Sequence, residues 1–434
     1  MNSVFPPPLP PPPSPKRGIW PIVLIASAAV VVVVAVLAAL AVPTFNRVRE
    51  RAHALRARGN PAMQMPKPLT EEQKRQLQAF GEDLADKLTR SDADGLRELF
   101  DHDLLADRVF SPMGGSSFVK GARKGFTESV RKRNGGVFSL MLGQPAKCLR
   151  IRERDGFPAI LLRSLPADGG VTYVDAIVMP KDSSFRIIDG FSYIFGQYIS
   201  AEARNAMVPM MPPTEGLSLG ALLGLPKVDK KLTDQMLAMT TAFQNREHEK
   251  LLTLYARLPQ EHQSSRTFYL LRLQSLMALQ SDPSHEKAYL EALEHAPKIL
   301  GSDSATDLLM LDRQILNQDF AGAVRSLARV GELIGGDAYL TVLQSNMKIK
   351  MGDFKAAEEL CRKAEKEEPD LVTLVDLRLL LNASRKDYAA MVDELRSFKK
   401  QYGVTMGREE LDQPEYAGFL NSKEFAQWLL ENGK

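Results

Sequence analysis

Cysteine, tryptophan and histidine are scarce in this chain of 434 residues, which has two, two and six of them. Cys148 and Cys361 fall in different predicted domains, so we expect no disulfide between them, and they give no indication of the redox compartment. The histidines are scattered, and no Cys/His cluster has the spacing of metal ligands. We therefore predict no metal site and no bound cofactor.

A phosphate-binding loop of the P-loop type is also missing. The nearest approach to one is Gly114-Gly115-Ser116-Ser117, followed by Lys120 and Arg123. It lacks the Gly-Lys-Ser/Thr ending with which a P-loop holds phosphate groups. We favour a flexible loop as its interpretation, with a phosphate-holding loop as the alternative.

The net charge of +3 conceals an asymmetry along the chain. Residues 1–58 carry seven basic residues and one acidic residue, a net +6, which leaves −3 for the remainder. Nucleic-acid-binding domains normally concentrate positive charge on one surface. We therefore predict no nucleic-acid partner.

The first 45 residues contain a proline-rich stretch and then a long apolar run. In residues 22–42 the only residue that is not apolar is Ser27, and a helix of that length spans a hydrocarbon core of ~30 Å. We predict a proline-rich disordered tail over residues 1–19, a transmembrane helix over residues 20–45 and a basic linker over residues 46–68. The tail could also dock in an aromatic groove. A cleaved signal peptide is the alternative to the helix, because Ala39-Leu40-Ala41 is similar to a cleavage site.

The stretch from Val36 to Ala52 resembles the end of the amino-terminal helix of type IV pilins. Gly18 follows a Lys-Arg pair, as at a prepilin cleavage point, but Val23 replaces the early glutamate of pilins. The resemblance implies a pilin-like anchor and not a pilin. The arginines after the apolar run favour a cytoplasmic carboxyl-terminal part, whereas the pilin-like layout favours the reverse. We predict a single-pass protein of the inner or plasma membrane with its soluble domains outside the cytoplasm.

Residues 69–208 change from helical to strand periodicity and predict an α+β domain. Thr70 is the expected N-cap of a first helix in which apolar residues recur from Leu77 to Leu88. Five strand patterns, separated by turn signals, cover residues 138–142, 147–152, 159–163, 171–179 and 185–189. This order of elements resembles the nuclear-transport-factor-2-like (NTF2-like) cone fold, also called SnoaL-like.

The cone-fold resemblance implies a ligand pocket and, in some members, an enzyme with Asp, His or Tyr inside the cone. The candidate catalytic residues are Asp175, Asp189, Tyr173 and Tyr193, on or just after the last two predicted strands. Burial among apolar neighbours would raise the pKa of either carboxyl and suit it to proton transfer; alternatively, both carboxylates face solvent or cap turns. The only histidine of this domain, His102, lies in a polar loop. Because no second catalytic partner is evident, we predict that the chain is not an enzyme.

A 34-residue repeat marks the carboxyl-terminal half. Phe320, Phe354 and Tyr388 are spaced by 34 residues, and each follows an aspartate. In the best copy, Gly352 stands at a turn and Pro369 ends the hairpin. The period and these residues resemble the tetratricopeptide repeat, a helix–turn–helix unit, and an unrelated helical bundle is the alternative. The predicted repeat-packing residues are Phe320, Leu327, Phe354, Ala357, Cys361, Ala364, Tyr388 and Leu395.

The repeats are predicted to occupy residues 229–434, after a linker over residues 209–228. Helical hairpins are expected at residues 231–257, 264–296, 304–333, 338–367 and 371–401. The tail from Glu409 to Leu430 contains several aromatic residues and is interpreted as a capping helix, which covers the open apolar face of the last repeat.

The predicted fold class is therefore multidomain, with a single transmembrane helix, an α+β cone-like domain and an all-α helical-repeat domain of tetratricopeptide type. A helical array presents a concave surface to a peptide or a partner helix. We predict a membrane-anchored protein–protein interaction scaffold that contacts the membrane through residues 20–45. The alternative is a small-molecule-binding or enzymatic NTF2-like domain with the repeats as an accessory, which a solvent-reachable cavity at Asp175 and Asp189 would favour.

Overall fold

A computed structural model shows a mostly helical chain with one antiparallel sheet. The chain divides into two compact units between residues 309 and 310. The structure describes residues 68–113, 117–132, 138, 141–166, 170–207, 234–235, 238–239, 241–243, 245–301 and 304–432. Within these ranges it contains 17 α-helices and five strands.

Among the described residues of the first unit, four helices precede the sheet. They are α1 (Glu71–Thr89), α2 (Ala93–Glu98), α3 (His102–Phe110) and α4 (Ser117–Lys132). Thr70 is the N-cap of α1 and forms a capping box with Gln73. The Gln73 backbone N–H donates to Thr70 Oγ1 over 3.2 Å, and the Thr70 N–H donates to Gln73 Oε1 over 3.0 Å. Two amides that a helix start leaves unpaired are thereby satisfied.

The five strands form an antiparallel meander in chain order. They are β1 (Ala146–Arg154), β2 (Phe157–Ser164), β3 (Thr172–Lys181), β4 (Ser184–Ser192) and the short β5 (Gln197–Tyr198). The turn between β1 and β2 places both Asp155 and Gly156 at positive φ, 50° and 83°. Aspartate followed by glycine suits such a two-residue hairpin turn. Helix α5 (Ile199–Met207) follows β5.

The two faces of the sheet have different neighbours. The first face packs on α1, in a core that contains Leu77, Leu84, Leu88, Ile160, Leu162, Val174, Ala176 and Val178. Because side chains alternate along a strand, Tyr173, Asp175 and Ile177 face the other side. Helices α3 and α5 lie against β4. The candidate carboxylates therefore lie away from the main apolar core.

One predicted strand is wrong: the described residues of 138–142 do not join the sheet. Phe138 and Met141 are instead buried in the core beside α1, and the Phe138 ring centroid lies 5.7 Å from that of Phe100. A short apolar run has the same appearance in a strand and in a buried turn, so periodicity alone could not distinguish the two.

More helices complete the first unit. They are α6 (His248–Ala256), α7 (Gln260–Gln263), α8 (Arg266–Ala278) and α9 (Pro283–Leu300), and α10 (Ser304–Leu316) crosses the boundary between the units. Helix α8 packs against both α6 and α9. Asp282 caps α9 by accepting a hydrogen bond of 2.8 Å from the Ser284 N–H.

The second unit is helical in its described part. It contains α11 (Phe320–Ile334), α12 (Ala338–Lys350), α13 (Phe354–Glu367), α14 (Thr373–Arg385), α15 (Tyr388–Tyr402), α16 (Ala417–Leu420) and α17 (Lys423–Glu431). Helices α12 and α13 form one hairpin, and α14 and α15 form the next. Helices α12 and α14 are the first helices of these hairpins, and they also pack on each other. The predicted hairpins at residues 338–367 and 371–401 coincide with these two.

The carboxyl-terminal helices bury their aromatic residues against the last hairpin. Their core contains Val375, Leu379, Met391, Leu395, Phe398, Tyr416, Phe419, Phe425 and Trp428. The Trp428 Nε1–H donates to the Met406 carbonyl oxygen over 2.9 Å. The tail thus covers apolar surface that α14 and α15 would otherwise expose.

The structure does not agree with the predicted fold class in its single transmembrane helix. Among the described residues no helix is long and apolar enough to cross a bilayer. The longest of them, α1, has 19 residues but carries charged side chains along its exposed side. The transmembrane helix predicted over residues 20–45, the proline-rich tail and the pilin-like stretch lie outside the described residues, as does the linker over residues 209–228. The prediction of a single-pass protein of the inner or plasma membrane is therefore wrong for the described part of the chain, whereas the membrane contact through residues 20–45, which lie outside it, stays a prediction.

Candidate functional site

Aspartate N-caps account for the 34-residue sequence period of the repeats. Asp319, Asp353 and Asp387 are the N-caps of α11, α13 and α15, and the aromatic residue that follows each of them is the first helical residue. Each Oδ1 accepts a hydrogen bond from the backbone N–H three residues ahead, over 2.8, 3.2 and 3.1 Å respectively. The sequence period is therefore the distance between successive helix starts.

The predicted repeat-packing residues line these second helices. Leu327, Ala357, Cys361, Ala364 and Leu395 are buried, and Phe320, Phe354 and Tyr388 are half-buried. Ala357 has no exposed surface, and its carbonyl oxygen accepts a hydrogen bond of 2.7 Å from the Ser345 hydroxyl of α12. Small side chains at this contact let the two helices of the hairpin approach closely.

The first helices present a second surface, with a different chemistry. Asn346 and Lys350 lie one turn apart on α12, and Thr373, Asp376 and Leu380 follow at helical spacing on α14. We call these five residues the first-helix face. Four of them are half-buried and Lys350 is exposed, so the face is polar and borders solvent.

Two polar atoms of the first-helix face are buried without a hydrogen-bond partner among the described residues. They are Asn346 Oδ1 and Thr373 Oγ1. Burial also raises the pKa of the Asp376 carboxyl to about 6. Leaving a buried acceptor unpaired costs ~1–3 kcal/mol, so this face carries hydrogen-bonding capacity that the described chain does not use.

The carboxyl-terminal segment touches the first-helix face. A 3₁₀ turn over Pro414–Tyr416 packs against α14. A Glu415 carboxylate oxygen lies 3.5 Å from Lys350 Nζ of α12. Tyr416 is buried, which raises the pKa of its hydroxyl, and the negative charge of Asp376 raises that pKa further. Glu415 and Tyr416 thus approach α12 and α14 respectively.

The catalytic candidates of the sheet lie in two networks, each organised by arginine. Asp175 is fully buried in β3 and accepts hydrogen bonds from Arg152 Nε over 2.8 Å, from Arg152 Nη2 and from Arg154 Nε. The Tyr193 hydroxyl donates to Asp175 over 3.0 Å and accepts a bond of 2.7 Å from Arg154. The Tyr173 and Tyr193 rings are in edge contact, with centroids 6.4 Å apart. Three of the four candidates are therefore brought together.

Asp189 belongs to the other network. Arg108 Nε of α3 donates to Asp189 Oδ2 over 2.7 Å. The Ser200 hydroxyl also donates to this carboxylate, as do the N–H groups of Gly190 and Ser200, over 2.8 and 3.1 Å. Like Asp175, this carboxylate is fully buried. Both carboxylates are thus enclosed by donors, which is typical of a structural ion pair.

The arginine partners are what sequence reasoning missed. Arg152 and Arg154 lie at alternating positions of β1 and therefore share one face of the sheet. That alternation is the signal that could have found them. Arg154 additionally stacks on Phe191, with its guanidinium carbon 3.7 Å from the ring centroid, an arrangement typical of a cation–π contact.

Glu202 of α5 was missed as well. It is buried among the described residues of the first unit, and its Oε1 accepts no hydrogen bond there. Burial raises the pKa of this carboxyl to about 7, although the nearby Arg266 acts in the opposite direction. No sequence pattern distinguishes it from the exposed glutamates.

The other sequence expectations concern metals, phosphate and cysteine. No group of three or more metal-ligating side chains occurs within the described residues. Residues 114–116 of the glycine-rich loop lie outside them, and Arg123 pairs with Asp107 over 2.7 Å. Both cysteines are free, and burial raises the pKa of each thiol to about 11.

No protein-family model matches this chain, and no curated protein matches it.

Proposed function

We propose that this protein is an interaction scaffold whose first-helix face binds an extended segment of a protein partner. The observation behind the proposal is the unused hydrogen-bonding capacity of that face at Asn346 Oδ1 and Thr373 Oγ1, beside the half-buried Asp376. Two successive helical hairpins contribute to it.

A peptide backbone supplies hydrogen-bond donors for the unpaired acceptors of this face. Its N–H groups recur along an extended chain and are obligatory donors, and the amide oxygen of Asn346 and the carboxylate of Asp376 are acceptors. A bound segment would relieve the cost of the unpaired acceptors in the free protein. An extended segment can also cross from one first helix to the next.

The repeats hold this face in position before any partner arrives. The aspartate caps fix where α13 and α15 begin, and the Ser345 contact with Ala357 joins α12 to α13. A surface that is already ordered loses less conformational freedom on binding, which favours affinity.

A ligand-binding or enzymatic role of the sheet domain receives less support. Asp175 and Asp189 have no exposed surface, and each is held by arginine and by hydroxyl or amide donors. A general acid or base needs hydrogen-bond contact with its substrate. The arrangement of these carboxylates therefore supports a role in the stability of the sheet.

Two lysines on opposite sides of one turn provide a matched test. Lys350 ends α12 and belongs to the first-helix face, whereas Lys355 lies five residues further on, exposed on α13. The full-length chain, Lys350→Glu and Lys355→Glu would be used to capture partners from a native extract, with quantification by mass spectrometry. Both variants make the same change in charge at an exposed position.

We expect Lys350→Glu to lose partners that Lys355→Glu retains. If both variants retain the same partners, or if Lys355→Glu alone loses them, the first-helix face is not the binding surface. Circular dichroism of each variant would establish that the helical content is unchanged.

A further inference from the structure

We infer, resting on the proposed function, that Glu415 and Tyr416 are an internal ligand of the first-helix face. The partner segment that displaces them has the same chemistry, an acidic side chain followed by an aromatic one. The carboxyl-terminal segment then competes with the partner for the first-helix face, in addition to capping the repeats.

The carboxyl-terminal segment extends further along the repeats than a cap requires. A cap is required only to cover the last hairpin, formed by α14 and α15, and α16 and α17 already do so through Phe419, Phe425 and Trp428. The Pro414–Tyr416 turn goes further, because Glu415 pairs with Lys350 of α12, in the preceding hairpin. Its contact therefore bridges two successive first helices.

The side chains of the turn define what the face recognises. Lys350 attracts the Glu415 carboxylate across 3.5 Å. Tyr416 is only 5% exposed and packs in the apolar cluster that includes Val375 and Leu379 of α14. The Asp376 carboxylate lies near Tyr416 and disfavours a second acidic residue at that position. One acidic position followed by one aromatic position matches this pattern.

The segment is anchored at both ends and by the buried Tyr416, and its Lys350–Glu415 pair is the part that is open to solvent. The Met406 carbonyl accepts from Trp428, and an Arg408 guanidinium N–H donates to the Leu420 carbonyl over 2.7 Å. Lys350 and Glu415 are each 38% exposed in their pair, and ion pairs that are this open to solvent contribute little. A partner segment must therefore supply an aromatic side chain in place of Tyr416 as well as a carboxylate in place of Glu415, and the displaced turn stays tethered at a high effective concentration for its return.

A peptide that copies the segment tests the inference directly. The probe is a fluorescein-labelled Leu-Asp-Gln-Pro-Glu-Tyr-Ala-Gly, the sequence of residues 411–418, titrated into the full-length chain with anisotropy as the readout. Glu415→Lys places like charges opposite Lys350 and should tighten peptide binding by at least about threefold relative to the unaltered chain. Glu409→Lys makes the same charge change at an exposed residue of the same tail and should leave binding unchanged.

A charge swap between Lys350 and Glu415 provides a second test of the inference. Adding Lys350→Glu to Glu415→Lys restores an attractive internal pair and repels the acidic probe, so peptide affinity should fall to the level of the unaltered chain or below. Equal affinities for Glu415→Lys and Glu409→Lys would overturn the inference. So would a doubly substituted chain that binds the peptide as tightly as Glu415→Lys alone.

The experiments distinguish a loss of the folded cap from a loss of peptide binding. Emission from Trp428, which lies in the cap core, shows whether each variant keeps its cap, and Glu415→Gln, which only removes the attraction, replaces Glu415→Lys if the cap is lost. A failed peptide titration, with partner capture still dependent on Lys350, would reject the internal ligand and leave the proposed function intact. Partner capture that is independent of Lys350 would reject the proposed function itself.

Discussion

The Ser345 hydroxyl donates a hydrogen bond of 2.7 Å to the carbonyl oxygen of Ala357, and this bond joins the two helices of one hairpin. Neither residue has any exposed surface. The helices approach each other here because both side chains are small, and the buried hydroxyl finds its hydrogen-bond acceptor in the neighbouring helix.

Enlarging Ala357 should therefore overpack the hairpin. We expect Ala357→Phe to lower the free energy of unfolding of the repeats by ~1–3 kcal/mol. Lys355→Ala, at an exposed position of the same helix, should change it by less than roughly 0.5 kcal/mol. The measurement is urea unfolding followed by the fluorescence of Trp428. A larger loss of stability for Lys355→Ala would mean that the side of α13 that carries Lys355, and not the side that carries Ala357, packs against α12.

The aspartate caps should be individually measurable. Asp387→Ala removes the acceptor for the Ala390 N–H at the start of α15 and should cost about 1 kcal/mol. Asp387→Asn is the control, because asparagine caps a helix nearly as well and should preserve most of the stability. Hydrogen exchange of peptides from α15 would report the difference. Equal losses for the two variants would indicate that the charge of Asp387 matters more than the cap.

Removal of Asp175 should destabilise the sheet. Its carboxylate is fully buried between Arg152 and Arg154, which are less than one fifth exposed. Asp175→Ala leaves both arginines without their common partner, and losing one member of a buried pair costs ~3–5 kcal/mol. Faster hydrogen exchange across β3 and β4 is the expected result. Asp182→Asn, at the exposed turn between the same strands, should leave exchange unchanged, and an undisturbed sheet in Asp175→Ala would show that the network contributes no stability.

The contribution of Asp376 to the stability of the repeats should become more favourable as the pH falls through 6. Burial raises the Asp376 pKa from 3.8 to about 6, so the folded chain takes up a proton at a pH where the unfolded chain does not. The Asp376 contribution to the free energy of unfolding therefore rises between pH 7 and pH 4, because the charged carboxylate costs up to about 3 kcal/mol above that range.

Asp376→Asn isolates this contribution. The variant should be more stable than the unaltered chain at pH 7.5, with a difference that shrinks towards zero near pH 4, in urea titrations followed by Trp428 emission. A difference that is independent of pH would place the Asp376 pKa near its ordinary value. Asp393→Asn, at an exposed position of α15, is the control for the change in charge.

Short sequence signals are sufficient to specify the local structure of the repeats. Each aspartate, followed by an aromatic residue and then by small residues at helical spacing, specifies where a second helix begins and which of its sides is buried. These signals act within one or two turns of helix, so they can be read without knowledge of the rest of the chain. The predicted limits at residues 338–367 therefore lie close to those of α12 and α13.

Contacts between side chains that are distant in the sequence depend on the tertiary fold. Asp175 finds Arg152 and Arg154 across the intervening strand β2, Asp189 finds Arg108 on a helix 81 residues away, and Glu415 finds Lys350. Such pairs depend on strand register and on the path of the chain, and neither is encoded in any short window of sequence. The same holds for the burial of Asp376, because an aspartate on a helix becomes an unusual acid only when other elements remove it from water.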